Sequence, residues 1–163
     1  MADSRFEDGA IKDGAFQDGA SKPLNLVARD EGDLAVVSAL VQDAVLTAAD
    51  LRYIRSKRRF ALLINRFRWE QGAAPGHERV RSLLVFDDVT VVQAQGVARD
   101  TPDLVLSLLS VNFAPAADGT GVVTLTFAGD GAVALSVEAM EVSLKDVTKP
   151  YLAPSRRMPH HPD

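Results

Sequence analysis

The chain has 163 residues, of which 47% are hydrophobic and 25% charged, as is usual for one globular domain with a sizeable core. It contains no cysteine, which excludes disulfides, thiolate metal sites and a cysteine nucleophile. The acidic N-terminus does not have the apolar centre of a signal peptide, and no apolar run approaches the roughly 20 residues that span a bilayer. We therefore expect a cytoplasmic protein that makes no contact with a membrane.

The net charge of −4 is spread unevenly along the chain. Residues 52–81 contain nine Lys or Arg and two Glu, a balance of +7, whereas the remainder has a balance of −11. A basic segment is thus set in an acidic body.

The first 23 residues contain three copies of Asp-Gly-Ala, beginning at Asp8, Asp13 and Asp18. Gly and Asp disfavour both helix and strand, so we predict a flexible acidic tail over residues 1–23. Calcium binding by these units is the alternative, but their spacing is not that of an EF-hand loop.

A short strand over Leu24–Ala28 and a helix are predicted next. Asp30 is a good N-cap, and acidic residues in the first turn favour the positive end of the helix dipole. Apolar residues at helical spacing from Leu34 to Leu46 predict a helix over that range, lying flat on a sheet.

Residues 49–55 and 59–68 predict a hairpin, with its turn at Ser56-Lys57-Arg58. The continuous apolar run Phe60–Ile64 is typical of a strand covered on both faces, so we expect it to be buried.

Beyond Ile64 the strand alternates. Phe67 and Trp69 fall on one face, and we expect Trp69 to be largely covered. Arg66 and Arg68 fall on the other face, where their guanidinium groups need water or a carboxylate partner.

Further strands are predicted at 79–86, 89–95, 104–113 and 122–128, with turns at Asp87-Asp88 and at Gly129-Asp130-Gly131. Val133, Leu135 and Val137 share one face of a strand, after which the apolar phase changes. The segment 138–147 therefore continues as a bulged strand or forms a helix, and the pattern favours the bulged strand. Residues 150–163 are predicted to be a flexible tail rich in Pro and His.

These elements predict a single globular α+β domain over residues 24–149. About eight strands follow one another through short loops, which indicates antiparallel pairing. We expect a curved, mostly antiparallel sheet or partly open barrel with one N-terminal helix packed on it. A pleckstrin-homology-like barrel is the alternative, although its single helix should come last.

Three segments of the chain carry a family resemblance. They are LNLVARDEGDLAVVSALVQDAVL, RRFALLINRFRWE and VTLTFAGDGAVALSVEAMEVSLKDV. Together they resemble a small bacterial family, domain of unknown function 2948, over roughly Leu24 to Val147. The resemblance implies a bacterial, soluble, single-domain protein, and it supplies no activity, cofactor or catalytic residue.

The sequence predicts no catalytic residue, cofactor or metal site. It has no phosphate-binding glycine loop and no nucleophile elbow. His77 lies in a Gly-Pro loop, and the adjacent His160 and His161 do not have the spacing of a chelate. Asp87 and Asp88 are interpreted as turn residues and not as a catalytic pair.

The positive functional signal is a candidate binding patch of basic side chains, which cluster at the two ends of the second hairpin strand, about 30 Å apart at roughly 3.3 Å per residue. Its members are Arg52, Arg55, Lys57, Arg58, Arg59, Arg66 and Arg68. In the alternative interpretation, Arg66 and Arg68 pair with acids of a neighbouring element, such as Asp43 or Asp50.

These signals favour a non-enzymatic binding or adaptor domain that meets a protein partner through its sheet surface. A weak nucleic-acid binder acting through residues 52–59 is one alternative, since basic residues there could contact phosphate. An enzyme whose site is assembled from dispersed residues is another, because convergent polar groups need no linear motif.

Overall fold

A computed structural model describes residues 22–71, 78–97 and 101–152 of the chain. Within these ranges it contains one α-helix and eleven strands in one sheet. The elements in chain order are β1 (Asn25–Ala28), α1 (Glu31–Leu40), β2 (Ala44–Thr47), β3 (Leu51–Ile54), β4 (Arg59–Phe67), β5 (Glu78–Phe86), β6 (Val89–Gln95), β7 (Val105–Pro115), β8 (Gly121–Phe127), β9 (Gly131–Val137), β10 (Val142–Asp146) and β11 (Tyr151–Leu152).

The sheet is antiparallel and open. Its strand order is β1-β10-β5-β4-β2-β7-β8-β9-β6, while β3 pairs with β4 and β11 pairs with β5 outside this path. All of these pairs are antiparallel. The expected α+β class with an open antiparallel sheet is therefore confirmed. Helix α1 follows the first strand, whereas the helix of a pleckstrin-homology-like barrel should follow the last strand. The element order therefore differs from that alternative.

The core lies between one face of this sheet and α1. Phe60, Leu62 and Ile64 of β4 are buried in it, together with side chains from α1, β5 and β7–β10. Ala61 and Leu63 alternate with them and are only partly covered. The run Phe60–Ile64 is therefore buried on its core face and only partly covered on the opposite face, where the sequence had predicted full cover.

Trp69 lies just after β4 and is half-buried, as its large apolar ring requires. Its ring packs near that of Phe67, with 5.6 Å between the ring centroids. The indole Nε1 donates to the carbonyl oxygen of Gln42 at 2.9 Å, which connects the end of β4 to the segment before β2.

Helix α1 begins as its sequence dictates. The carboxylate of Asp30 accepts a hydrogen bond from the backbone N–H of Asp33 at 2.7 Å and caps the first turn. Leu34 and Val37 are its buried residues, and Ser38 accepts a hydrogen bond from the backbone N–H of Val111 on β7. The helix is therefore held on β7 by apolar burial and by one polar contact.

The predicted end of this helix is wrong. The sequence pattern extends it to Leu46, but α1 ends at Leu40 and residues Ala44–Thr47 form β2. Asp43 adopts a positive φ of 65°, a conformation that no helix continues through. The apolar residues after it then pair with β7 and β4, so tertiary pairing overrides the helical spacing.

The bulged strand predicted over residues 138–147 is replaced by a break. Strand β9 ends at Val137 and pairs with β8 and β6, whereas β10 starts at Val142 and pairs with β5 and β1. Residues 138–141 carry the chain from one part of the sheet to another.

Tyr151 and Leu152, from the segment predicted as a tail, also enter the sheet by pairing with β5.

Both predicted turns are present. Asp88 adopts a positive φ of 59° between β5 and β6, and Gly129 and Asp130 adopt positive φ values of 81° and 71° between β8 and β9. Asn, Asp and Gly tolerate this region best, which explains why Asp and Gly occupy these positions.

We expect Ile64→Ala to lower the free energy of unfolding by about 2–5 kcal/mol, because it removes buried apolar atoms and leaves a cavity. Chemical denaturation measures this loss. Leu63→Ala on the partly covered face is the matched control and should cost clearly less. Equal costs for the two variants would contradict the assignment of the core face.

Candidate functional site

The β3–β4 hairpin presents three basic side chains that have no carboxylate partner among the described residues. Arg52 on β3 and Arg55 and Lys57 in the following 3-10 turn are all exposed. The guanidinium of Arg55 lies 5.6 Å from the centre of the Tyr53 ring, a cation–π arrangement. These groups remain available to an anionic ligand.

Two other members of the candidate patch already have surface partners. Arg58 Nη2 lies 2.9 Å from Glu138 Oε1, and Arg59 Nε lies 2.8 Å from Asp87 Oδ1. All four side chains keep partial access to solvent, so each pair contributes little to stability. Asp87 thus serves as an ion-pair partner beside the turn.

Arg66 lies in a buried cluster of polar groups, with its side chain 0% exposed. Its Nη1 and Nη2 each donate to Glu70 at 2.9 Å, and Nη2 also donates to Asp146 Oδ1 at 3.0 Å. Ser82 accepts from Arg66 Nε at 3.1 Å and donates to Asp146 Oδ1 at 2.7 Å. The guanidinium therefore connects β4, β5 and β10.

Asp146 is the shared acceptor of this cluster and is itself nearly inaccessible, with its side chain 2% exposed. Its Oδ2 also accepts a hydrogen bond from the backbone N–H of Leu24 at 2.8 Å, next to the start of β1. One carboxylate thus connects Arg66 to the first edge of the sheet.

The charges in this cluster shift one another's proton affinities. Burial by itself lowers the pKa of Arg66, but the hydrogen bonds to Glu70 and the charge of Asp146 outweigh it and raise that pKa. Burial likewise favours the neutral form of Glu70, yet the hydrogen bond from Arg66 dominates and lowers the pKa of Glu70 below its ordinary value of 4.5. Both groups are charged at neutral pH.

Arg68 is also buried, and its Nη1 donates to Glu78 Oε1 at 2.7 Å. Arg79 lies nearby with its guanidinium 4.0 Å from the centre of the Phe67 ring, and burial lowers the pKa of Arg79.

The structure therefore divides the candidate patch into exposed and buried members. Arg66 and Arg68 belong to internal ion pairs, with partners other than the Asp43 and Asp50 considered from the sequence.

A cleft of about 720 Å³ opens where β3 faces β6, beside the unpaired arginines of the hairpin. Most of its lining residues are apolar, although about half of the surface that they expose in the cleft is polar, and its charged side chains are Arg52 and Arg55. It is lined by Ala48, Ala49, Leu51, Arg52, Tyr53, Arg55, Phe60, Thr90, Val91, Val92, Ala94, Val97 and Val133. The volume is within the range of pockets that bind ligands.

Two hydrogen bonds hold β6 to the hairpin at one end of this cleft. The Tyr53 hydroxyl donates to the carbonyl oxygen of Val89 at 2.7 Å. The N–H of Val89 donates to the carbonyl oxygen of Arg58 at 2.8 Å. Beyond Val89, the cleft is bordered by β6 on one side and by β3 with the preceding 3-10 turn on the other.

Sequence reasoning found the two arginines of the cleft but not its apolar lining. The lining residues come from segments that are far apart in sequence, and only the strand order brings them together. Asp146 was missed for the same reason, since it lies 80 residues beyond Arg66. Glu70, four residues after Arg66, was the one partner that local spacing could have indicated.

The part of the chain that the structure describes contains no group of three His, Asp or Glu side chains placed to hold a metal ion. The Asp-Gly-Ala units at Asp8, Asp13 and Asp18, and all three histidines, lie outside the described residues. No helix in the described ranges is long and apolar enough to cross a bilayer.

Residues 24–161 match the family model described as protein of unknown function, DUF2948. The chain belongs to the DUF2948 family. The match confirms the resemblance and extends past Val147 to include β11 of the DUF2948 domain. No curated protein and no solved structure matches this DUF2948 chain.

We expect Arg66→Ala to destabilise the DUF2948 domain by about 3–5 kcal/mol, because the variant leaves Asp146 buried without its partner charge. Arg58→Ala, which breaks a surface pair, is the matched control and should cost about 1 kcal/mol or less. Denaturation of both variants at neutral pH measures the contrast, and a harmless Arg66→Ala would contradict the buried pairing.

Glu70 should make the stability of the domain dependent on acid pH. Because its folded pKa is lowered, its contribution is complete above the ordinary value of 4.5 and is lost as the pH falls through the folded pKa. The difference in unfolding free energy between the parent and Glu70→Gln should therefore shrink on acidification.

Denaturant titrations over a pH series measure this difference. Glu138→Gln, at an exposed surface pair, should show a much smaller pH-dependent difference from the parent. A difference for Glu70→Gln that stays constant below pH 4.5 would contradict the lowered pKa.

Proposed function

We propose that this protein is a non-enzymatic binding domain whose cleft receives an acidic segment of a partner protein. The observation that carries the proposal is a cleft of about 720 Å³, lined mostly by apolar residues and bordered by Arg52 and Arg55, which have no carboxylate partner in the described ranges. Five other arginines in the described part of the chain do form ion pairs. Of the four described arginines without an ion pair, Arg52 and Arg55 are the two that line the cleft, and Arg79 and Arg81 do not.

The lining suits recognition by burial and ion pairing. Side chains such as Leu51, Val92 and Val97 offer apolar surface to an aliphatic group of the ligand. An arginine binds a carboxylate through two parallel N–H···O bonds, which fixes the orientation of the bound group. A ligand that supplies both features fits the cleft better than a purely apolar or purely charged one.

The cleft offers little for catalysis by proton transfer. Its described lining includes hydroxyl groups from Tyr53 and Thr90, but no carboxylate, imidazole or amine. The Tyr53 hydroxyl already donates to Val89, and that of Thr90 donates to the carbonyl oxygen of Ser136. This composition supports the binding function over the enzymatic alternative.

A protein ligand is favoured over nucleic acid by the charges that remain. Arg58 and Arg59 are paired at the surface, and Arg66 and Arg68 are buried, so few cations stay free to follow a phosphate backbone. The rest of the chain is acidic and repels a long phosphate backbone more than a short segment that carries one or two carboxylates. Nucleic-acid binding is therefore an outcome to be distinguished by the test.

The test selects a displayed library of random short peptides on the immobilised full-length protein. We expect the enriched peptides to combine acidic with β-branched or other apolar residues. Their dissociation constants are then measured by fluorescence anisotropy. Arg52→Glu should weaken binding by about tenfold or more, since it replaces attraction with repulsion at the cleft.

Lys57→Glu is the matched control, because Lys57 is exposed on the same hairpin but does not line the cleft. It should change the affinity far less than Arg52→Glu. Equal losses would indicate general electrostatic attraction, and tighter binding of labelled RNA or DNA than of any peptide would favour the nucleic-acid alternative. An absence of enriched peptides would contradict the proposed function.

A further inference from the structure

Strand β6 is an edge of the sheet without the usual protection. It is the last strand of the path and pairs on one side with β9. From Val91 to Gln95 it reads Val-Val-Gln-Ala-Gln, with no charge, proline or glycine. Natural edge strands are commonly short, charged or interrupted, because an open edge can pair with another chain.

The other end of the sheet differs in this respect. Edge strand β1 spans only Asn25–Ala28, follows Lys22-Pro23 and precedes Arg29. It is thus short and flanked by the charged and proline residues that discourage pairing. Within the described residues, β1 thus has features that discourage pairing, whereas the outer edge of β6 lacks them and pairs with no strand.

The open edge of β6 borders the cleft. Its residues Thr90, Val91, Val92 and Ala94 all line the cleft. Val92 and Ala94 pair with the buried Leu135 and Val133 and so point to the inner side, whereas Val91 pairs with Ser136 and points to the other side. Because residues of both orientations line the cleft, the backbone edge between them faces it too.

The near end of this edge is already occupied. The N–H of Val89 donates to Arg58 and its carbonyl oxygen accepts from Tyr53. The register of β6 with β9 shifts between Val89 and Val91, a bulge that separates this end from the rest. Beyond it, no described hydrogen bond outside the β9 ladder uses a backbone group of β6.

We propose that the partner segment binds as an added β-strand along β6, from Val91 to Gln95. The inference rests on the proposed function and names its binding mode. Backbone hydrogen bonds to the open edge supply affinity, and side chains of the added strand alternate between the cleft and the outer side. A carboxylate of this strand then reaches Arg52 or Arg55.

Strand addition predicts a period of two in the backbone of the ligand. Every second residue of the added strand directs its N–H toward β6, while the others direct theirs away. Replacing an N–H by N–methyl removes the donor and leaves the side chain unchanged. Methylation at one parity should weaken binding by about tenfold or more, and methylation at the other parity should have little effect.

The experiment uses an acidic peptide enriched by the library selection and a series of its single N-methylated derivatives. Alternating losses along the series support strand addition. If methylation weakens binding at no position, or weakens it equally at both parities, strand addition is overturned and the proposed function still stands. If no peptide binds at all, the proposed function fails first, and the strand-addition mode fails with it.

A second measurement uses the absence of cysteine from the chain. A Gln93→Cys variant places the one thiol on the exposed middle of β6, and the bound peptide is scanned with single cysteines. Residues opposed across two strands have Cα atoms about 4.5–5.5 Å apart, which a disulfide spans. Cross-linking confined to one peptide position supports the added strand, and uniform cross-linking overturns it.

Val122→Cys supplies the control for this cross-linking. Val122 is exposed on β8, but both neighbouring strands, β7 and β9, already pair at that position. It should therefore show no preferred peptide position. Efficient, position-specific cross-linking at Val122 would move the binding site away from β6.

Discussion

The buried guanidinium of Arg66 is the constraint on which the central part of the sheet depends. A charge that is fully removed from water must be neutralised and hydrogen-bonded where it lies. Here the neutralising groups are Glu70, just past the end of β4, and Asp146, at the end of β10. Since Asp146 also holds the backbone of Leu24, correct placement of β1, β10, β5 and β4 is coupled to one ion cluster.

This ion cluster specifies one register of the strands more than it adds to the free energy of unfolding. Apolar residues of the same volume could fill the space at least as favourably, but they would tolerate a shifted strand. Arg66 tolerates no shift, because moving β10 by one residue would turn Asp146 to the opposite face of the sheet. The apolar core between the sheet and α1 supplies the energy of folding, and the cluster supplies the register of the strands that meet there.

The elements that could be predicted from the sequence are those encoded over a few neighbouring residues. The cap at Asp30, the apolar run in β4 and the Gly-Asp-Gly turn are of this kind. The end of α1 could not be predicted, because apolar spacing continues past the single residue, Asp43, at which the backbone changes direction. The ion partner Asp146 and the cleft depend on strand order, which no local pattern contains.

The distance along the chain between Arg66 and Asp146 has a consequence for biosynthesis. A ribosome adds roughly 5–20 residues per second, so the carboxylate that completes the cluster is made about 4–16 seconds after the arginine. Until then the guanidinium of Arg66 on β4 can pair with Glu70 but lacks its second carboxylate, Asp146. Strand β1 can pair only at the same stage, since its partner β10 contains Asp146. The central sheet is therefore completed only after Asp146 has been made, and until then its strands lack part of their pairing and burial.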